Sequence, residues 1–169
     1  MKILSGLYRR IPIRTSKKLS YRPTKSLVRK SIFDSLKFFN FRSVCDLFSG
    51  SGIIGFESAS RGAKSITFVD DNYKSMKLIR ENAKTLKGPN YNFFQKDVYK
   101  FLENCSSYDL IYADPPYGAH DLVFLVNLVL DRLNKNGILI VECNKNQSPF
   151  SDCVLRDFGQ TRILKWENK

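Results

Sequence analysis

The sequence predicts an α/β protein: a Rossmann-like, doubly wound sheet of seven strands, extended at its N-terminus by a small β-hairpin and a helix. Three observations predict it. Short apolar runs rich in Val, Ile, Phe and Tyr alternate with segments of helical periodicity between residues 43 and 143. The first of those runs leads into a glycine-rich turn, Gly50-Ser51-Gly52-Ile53-Ile54-Gly55. The last two strand-like runs flank Gly159-Gln160 with no helix between them, so they pair antiparallel.

Taken in order, the opening MKILSGLYRRIPIR reads as two short strands around Ser5-Gly6. In SYRPTKSLVRKSIFDSLKFF, Thr24 is placed to cap a helix whose Val28, Ile32, Phe33 and Leu36 share one face. Residues 1–40 thus form a hairpin-and-helix extension, and residues 41–169 the Rossmann-like domain, with one main core expected for a chain of 169 residues. SVCDLF is a buried strand, GIIGFESASRG a helix ending at Gly62, SITFVD a strand, and NYKSMKLIRENAKTL a helix closed by Gly88-Pro89. The strand YNFFQK, a short helix near VYKFLE, the strand YDLIYAD, a helix from about Asp121 to Leu133 and the strand GILIVEC continue the alternation. Such alternation implies a parallel sheet covered on both faces, and DCVLRDFGQTRILKW supplies the closing hairpin. A parallel doubly wound sheet that finishes in a hairpin is the layout of the seven-stranded, class I S-adenosylmethionine-dependent methyltransferase fold.

The net charge is +12, and it is regional. Residues 1–30 hold ten of the 28 basic side chains and no acid, leaving 18 bases against 16 acids in the rest. Tyr8 and Tyr21 interleave the basic residues, as on a surface that meets phosphates and stacks on bases. No apolar run is long enough to span a membrane, the N-terminus lacks the apolar core of a signal peptide, and no amphipathic stripe accompanies the basic charge. These features lead us to expect a cytoplasmic protein without a membrane partner. Cys45, Cys105, Cys143 and Cys153 form no C-x-x-C pair and have only His120 to join them, so reduced thiols are expected and no metal site.

The glycine turn satisfies the dinucleotide fingerprint, with Asp70 twenty residues after Gly50. Asp46 argues against a dinucleotide, because a carboxylate at the strand's end repels a pyrophosphate bound at the helix N-terminus. S-adenosylmethionine carries an ammonium and a sulfonium instead, which the same carboxylate attracts. Gly50 and Gly52 let the backbone bend close to such a ligand, Phe48 lies in the same turn, and Asp70 can accept both ribose hydroxyls. Asp97 is placed to accept the adenine amino hydrogens while Val98 offers its backbone N–H; a helix N-cap explains Asp97 equally well.

The sharpest motif is Asp114-Pro115-Pro116-Tyr117, at the end of the fourth strand. With Pro near 5% of residues, its chance occurrence in a chain this long is roughly one in a thousand. Two prolines remove two N–H donors and fix the backbone, so Asp114 and the Pro115 carbonyl form an acceptor-only pocket for an exocyclic amine. Tyr117 can stack on the base that carries it. His120, close by, offers a proton carrier that the chemistry does not require.

These motifs together resemble the RsmD family of bacterial 16S ribosomal RNA (guanine-N2)-methyltransferases. The likeness runs through ILSGLYRRIPI, RPTKSLVRKSIFDSL, DLFSGSGIIGFESASRGA, TFVD, ENAKTL, DVYKFL, YDLIYADPPY and GQTRIL. The resemblance implies S-adenosylmethionine as methyl donor, contacted by Asp46, Gly50, Gly52, Asp70 and Asp97, with Asp114 to Tyr117 as the catalytic loop; Phe48 and Val98 join these as candidate donor contacts. It implies 16S rRNA as substrate, in an assembled or partly assembled small subunit; nothing in the sequence pattern demands more than a monomer. Arg9, Arg10, Arg22, Thr24 and Arg29 are then expected to dock RNA. Asp70 stands where the family usually has Glu, and YRRIPI lacks the glycine common after YR. Two other readings compete: a DNA adenine-N6 or cytosine-N4 methyltransferase, and a non-catalytic nucleic-acid-binding protein with a Rossmann-like core.

Overall fold

In a computed structural model, residues 1–15, 25–36, 38–147, 150 and 152–169 are described. The elements are α1 (Ser26–Ser35), β1 (Ser43–Leu47), α2 (Ile53–Ser60), β2 (Ser65–Val69), α3 (Tyr73–Ala83), β3 (Asn90–Phe94), α4 (Val98–Leu102), β4 (Tyr108–Ala113), α5 (Leu122–Leu130), β5 (Leu133–Asn144), β6 (Val154–Phe158) and β7 (Thr161–Glu167). They form one seven-stranded sheet in the order β3-β2-β1-β4-β5-β7-β6. The first five strands run parallel, and β7 joins β5 and β6 antiparallel. This is the sheet that the alternation and the closing hairpin predict.

Strand alternation assigns the two faces. Val44, Ile66, Phe68, Leu110, Tyr112 and Ile140 pack with α1, α2 and α3 on one side. Cys45, Leu47, Ile111, Ala113, Leu139 and Val141 pack with α4 and α5 on the other. Because β1 is covered on both faces, only Ser43 at its start keeps partial exposure.

The N-terminal residues belong to the first of these cores: Ile3, Tyr8, Ile13, Val28, Ile32 and Phe33 pack in one cluster with Phe56 and Phe68. They cover α2, every residue of which is buried. Leu7 and Tyr8 donate their N–H groups to the Ser60 carbonyl at 2.7 Å and to Ser60 Oγ at 2.9 Å, satisfying acceptors at a helix end that has no intrahelical partners. Gly6 (φ +85°) makes the approach possible, since a Cβ there would lie 1.9 Å from the Ser60 carbonyl oxygen.

Three local expectations are corrected. The opening hairpin has a single antiparallel bridge, Lys2 with Pro12, and a turn through residues 5–10 in place of two regular strands. The fifth helix stops at Leu130, because Leu133 already pairs with Tyr108 as the start of β5. Tyr8 is in the core rather than on a stacking surface, with its hydroxyl donating to the Lys87 carbonyl. Lys25, with no side-chain hydrogen bond, occupies the N-cap position of α1, while Thr24, Tyr21 and Arg22 lie outside the described residues.

Candidate active site

The chain reverses after β1 through three residues of positive φ, Phe48 (55°), Gly50 (54°) and Gly52 (73°). Ser49 locks this turn: its Oγ donates to the Asp46 carbonyl at 2.6 Å and accepts the Val69 N–H at 2.9 Å. Gly52 takes the left-handed N-cap position of α2, where any side chain would be strained and would press on Phe56, Phe68 and Ile79. Gly55 serves packing instead, since a Cβ there would come within 2.3 Å of the Phe68 ring.

Beside the turn lies a cavity of about 360 Å³, within the size range of small-molecule sites. Its lining includes Asp46, Phe48, Gly50, Asp70, Tyr112, Asp114, Pro115, Pro116, Tyr117 and Glu142, bringing most of the expected site residues together. Five carboxylates line it, those of Asp46, Asp70, Asp71, Asp114 and Glu142, and no Lys, Arg or His does so among the described residues. A pyrophosphate does not fit such a lining, whereas a ligand carrying positive charge does.

The acids follow from the topology. Each of the five parallel strands carries one at or just past its carboxyl end, and in sheet order these are Asp97, Asp70, Asp46, Asp114 and Glu142. Asp46 is 2% exposed and accepts the Gly55 N–H at 3.0 Å. Burial raises its carboxyl to about 8, against the opposing pull of that hydrogen bond and with help from the Asp70 charge. Asp70 is also raised by burial, while N–H groups of Gly50 (2.8 Å) and Asn72 (2.9 Å) favour its ionised form.

Past β4, Asp114 leads into a turn made of trans peptide bonds, which Gly118 (φ +73°) and an Ala119 N–H bond to the Pro116 carbonyl at 3.2 Å complete. Tyr117 stands 40% exposed at the cavity's edge. His120 does not line the cavity. It packs on the Phe48 ring at 5.0 Å between centroids, and its Nδ1 lies 3.2 Å from the Tyr99 hydroxyl.

The family model described as Conserved hypothetical protein 95 matches residues 1–163. Ribosomal RNA small subunit methyltransferase D of Haemophilus influenzae is 30% identical over 157 residues, which are 87% of this chain and 80% of that protein. Its namesake in Escherichia coli K12 is 32% identical over 136 residues, 78% of this chain and 67% of that one. The chain belongs to this family. A hypothetical protein of Thermus thermophilus superposes on it with a TM-score of 0.87 at 25% identity, over 99% of both chains. A putative methyltransferase of Escherichia coli superposes on it with a TM-score of 0.86 at 25% identity, over 100% of this chain and 98% of that one, so the fold is the Rossmann-like class I methyltransferase fold and the chain is a methyltransferase.

Within the methyltransferase, several expected contacts sit elsewhere. Asp97 is exposed and caps α4, accepting the Lys100 N–H at 3.0 Å, and Val98 is a core residue; neither lines the cavity. Gly52 shapes the turn from behind the lining. Arg9 and Arg10 are exposed on the turn docked at the C-terminal end of α2. The cavity is at that helix's other end, about 12 Å away at 1.5 Å per residue. Arg29 does not reach a phosphate: it is 3% exposed, with Nε 3.7 Å from Glu57 Oε1 and Nη2 donating to the Lys2 carbonyl at 3.2 Å. Glu57 is itself fully buried, paired with Arg61 and accepting the Leu4 N–H at 2.8 Å. Sequence reasoning missed Tyr112 and Glu142, which look like ordinary strand interior until the register is known.

Proposed function

We propose that this methyltransferase transfers the methyl group of S-adenosylmethionine to the exocyclic N2 amine of a guanine in 16S rRNA, acting as a monomer on assembled or partly assembled small subunits in the cytoplasm. The observation that carries the reading is the row of carboxylates across a glycine turn and a DPPY loop, in a cavity with no basic side chain among its described lining. S-adenosylmethionine supplies a methyl group on a positively charged sulfur, a leaving group that needs no further activation. Asp46 faces the positive charge of the donor's methionine part, and Asp70 accepts from the ribose. Phe48 packs on the donor, whose adenine extends beyond this cavity toward the end of β3, where Asp97 Oδ2 and the Val98 N–H lie outside the cavity's lining.

Asp114 and the Pro115 carbonyl hold the N–H groups of the target amine, so its lone pair is directed at the methyl carbon. A nitrogen–carbon bond forms as the sulfur–carbon bond breaks with its electron pair going to sulfur. Asp114 or water takes the proton that the nitrogen then sheds. Tyr117 stacks on the base once it leaves its own strand or loop. Positioning of this kind is worth about 7–11 kcal/mol when the geometry is near attack. Arg9 and Arg10, with Arg22 and Thr24 of the same basic region, position the RNA without reading its sequence.

The test is an Asp114→Ala variant assayed for labelled methyl transfer to small subunits and for donor binding. The reading expects transfer to fall by at least about a hundredfold while the donor still binds. Unchanged transfer would remove the DPPY loop from the chemistry, and preferential methylation of duplex DNA would favour a DNA amine instead.

A further inference from the structure

Beyond residue 30 the bases and acids of the chain nearly balance, yet between Tyr73 and Gly88 five bases, Lys74, Lys77, Arg80, Lys84 and Lys87, stand against one acid, Glu81. We infer that the outer face of α3 is a docking surface for the phosphate backbone of the substrate RNA, running from the N-terminal basic turn to the rim of the cavity. The inference deepens the rRNA reading and rests on it.

Helical spacing builds this face. The helix buries Ser75, Met76, Ile79 and Asn82. Tyr73, Lys77, Arg80 and Lys84 follow one another at i, i+4, i+7 and i+11, so they share a stripe turned away from the core, with about one cation per 5.4 Å turn. Lys74, Lys77, Lys84 and Lys87 are exposed, and Tyr73 is 62% exposed among them. Among the described residues none of the five cations forms an ion pair with an acid. Arg80 is held against the sheet edge, its guanidinium 4.6 Å over the Phe93 ring and Nη2 donating to the Phe93 carbonyl at 3.4 Å.

The two ends of the stripe decide its partner. At one end Asp71, Asn72 and Ser75 line the cavity, which puts Tyr73 and Lys74 at its rim. At the other, Asn82 accepts the Arg14 N–H at 3.0 Å and donates to the Arg14 carbonyl at 3.1 Å, while the Lys87 carbonyl accepts the Tyr8 hydroxyl. The segment that carries Arg9, Arg10 and Arg14 therefore adjoins the far end of α3. From Lys74 to Lys84 the helix spans about 15 Å, comparable with the length of α2 that separates Arg9 and Arg10 from the cavity. The carboxylates of the cavity repel phosphates, so an RNA backbone must pass along its rim rather than across it. A row of exposed cations beside that rim, with an exposed tyrosine on which a base can stack, suits such a strand.

The test measures binding of the enzyme to unmodified small subunits at stepped salt concentrations, comparing Lys77→Gln/Lys84→Gln with a control pair, Lys135→Gln/Arg156→Gln. The control removes equal charge from exposed residues at the start of β5 and on β6, the edge strand opposite β3. The α3 pair is expected to lower the slope of log affinity against log salt by about 1.4–1.8, the sum for two phosphate contacts, and to raise the subunit KM about tenfold. Donor affinity and melting temperature should stay at wild-type values in that pair, and the control pair should leave the slope where it is. An unchanged slope in the α3 pair overturns the proposal; so does an equal fall in both pairs, which net charge alone would explain. A fall seen with whole subunits but not with protein-free 16S rRNA also overturns it, assigning the face to a ribosomal protein. If the double variant melts at a lower temperature, Lys77→Gln and Lys84→Gln are read singly, each expected to lower the slope by about 0.7–0.9. Failure of the guanine-N2 reading is distinct, since the wild-type enzyme would then form no N2-methylguanosine on these subunits, whatever the slope.

Discussion

Asp70 accepts the Gly50 N–H at 2.8 Å through one oxygen and the Asn72 N–H at 2.9 Å through the other, tying the glycine turn after β1 to the first turn of α3. Asn72 in turn caps α3 by accepting from Lys74 and Ser75. One carboxylate therefore sets both walls at this end of the cavity before any ligand arrives.

Replacing Asp70 with Ala removes its bonds from the Gly50 and Asn72 N–H groups and, on the proposed reading, the ribose acceptor as well. Each such bond is worth about 1.5–3 kcal/mol, so donor affinity should fall tenfold to a hundredfold or more by calorimetric titration. Asp70→Asn, which keeps one acceptor oxygen, should fall between the two. An Ala variant that binds donor as the wild type does would show that Asp70 shapes the turn without contacting the ligand.

The high position of Asp46, about 8, makes donor binding pH-dependent. In the absence of a cation the buried carboxyl keeps its proton at neutral pH, and a positive charge beside it drives that proton off. Binding therefore releases a proton, and donor affinity should rise by up to about tenfold per unit between pH 5.5 and 7.5, below the range where an α-amino group deprotonates. Asp46→Asn should bind more weakly with a flat profile. The same burial acts on folding: the folded value lies above the unfolded one, so without donor this group's contribution to stability is full at low pH and lost as pH rises from about 4 toward 8. Melting scans across that window should show the loss in the wild type and a smaller one in Asp46→Asn.

Arg29 and the pair Arg9 and Arg10 should separate cleanly. Breaking the buried Arg29–Glu57 contact with Arg29→Ala should cost about 3–5 kcal/mol of stability. The salt dependence of RNA binding should not change in that variant. Arg9→Ala and Arg10→Ala should leave the melting temperature nearly unchanged and each reduce the slope of log affinity against log salt by about 0.7–0.9. The opposite pattern would place Arg29 on the RNA.

Gly55→Ala tests the close packing of α2 on β2. Its Cβ would meet the Phe68 ring at 2.3 Å and Ile66 at 2.9 Å, so a loss of about 1–3 kcal/mol is expected, read as a lowered melting temperature. An unshifted melting temperature would show that α2 has room to move away from β2.

What the sequence made legible depended on where the information is local. The strand-to-helix alternation, the glycine turn and the DPPY loop are contiguous, and each rests on a backbone requirement that residue types reveal directly. Glu142 was hidden because GILIVEC reads as a buried strand, and only the pairing of Val141 with Ala113 brings its acid beside Asp114. Arg29 and Tyr8 were misplaced for a related reason: in a basic, exposed-looking segment, nothing local announces that Glu57 of α2 or the Lys87 carbonyl receives their polar ends. Asp97 shows the limit of type and spacing together, since a strand-end acid that caps a helix and one that contacts a ligand look alike in sequence.

The most direct measurement is nucleoside analysis of 16S rRNA from unmodified small subunits incubated with the enzyme and labelled S-adenosylmethionine. The account predicts label in N2-methylguanosine at one position, and none when Asp114 is replaced by Ala. Label in a methylated adenine or cytosine, or full labelling by the Asp114 variant, would contradict it.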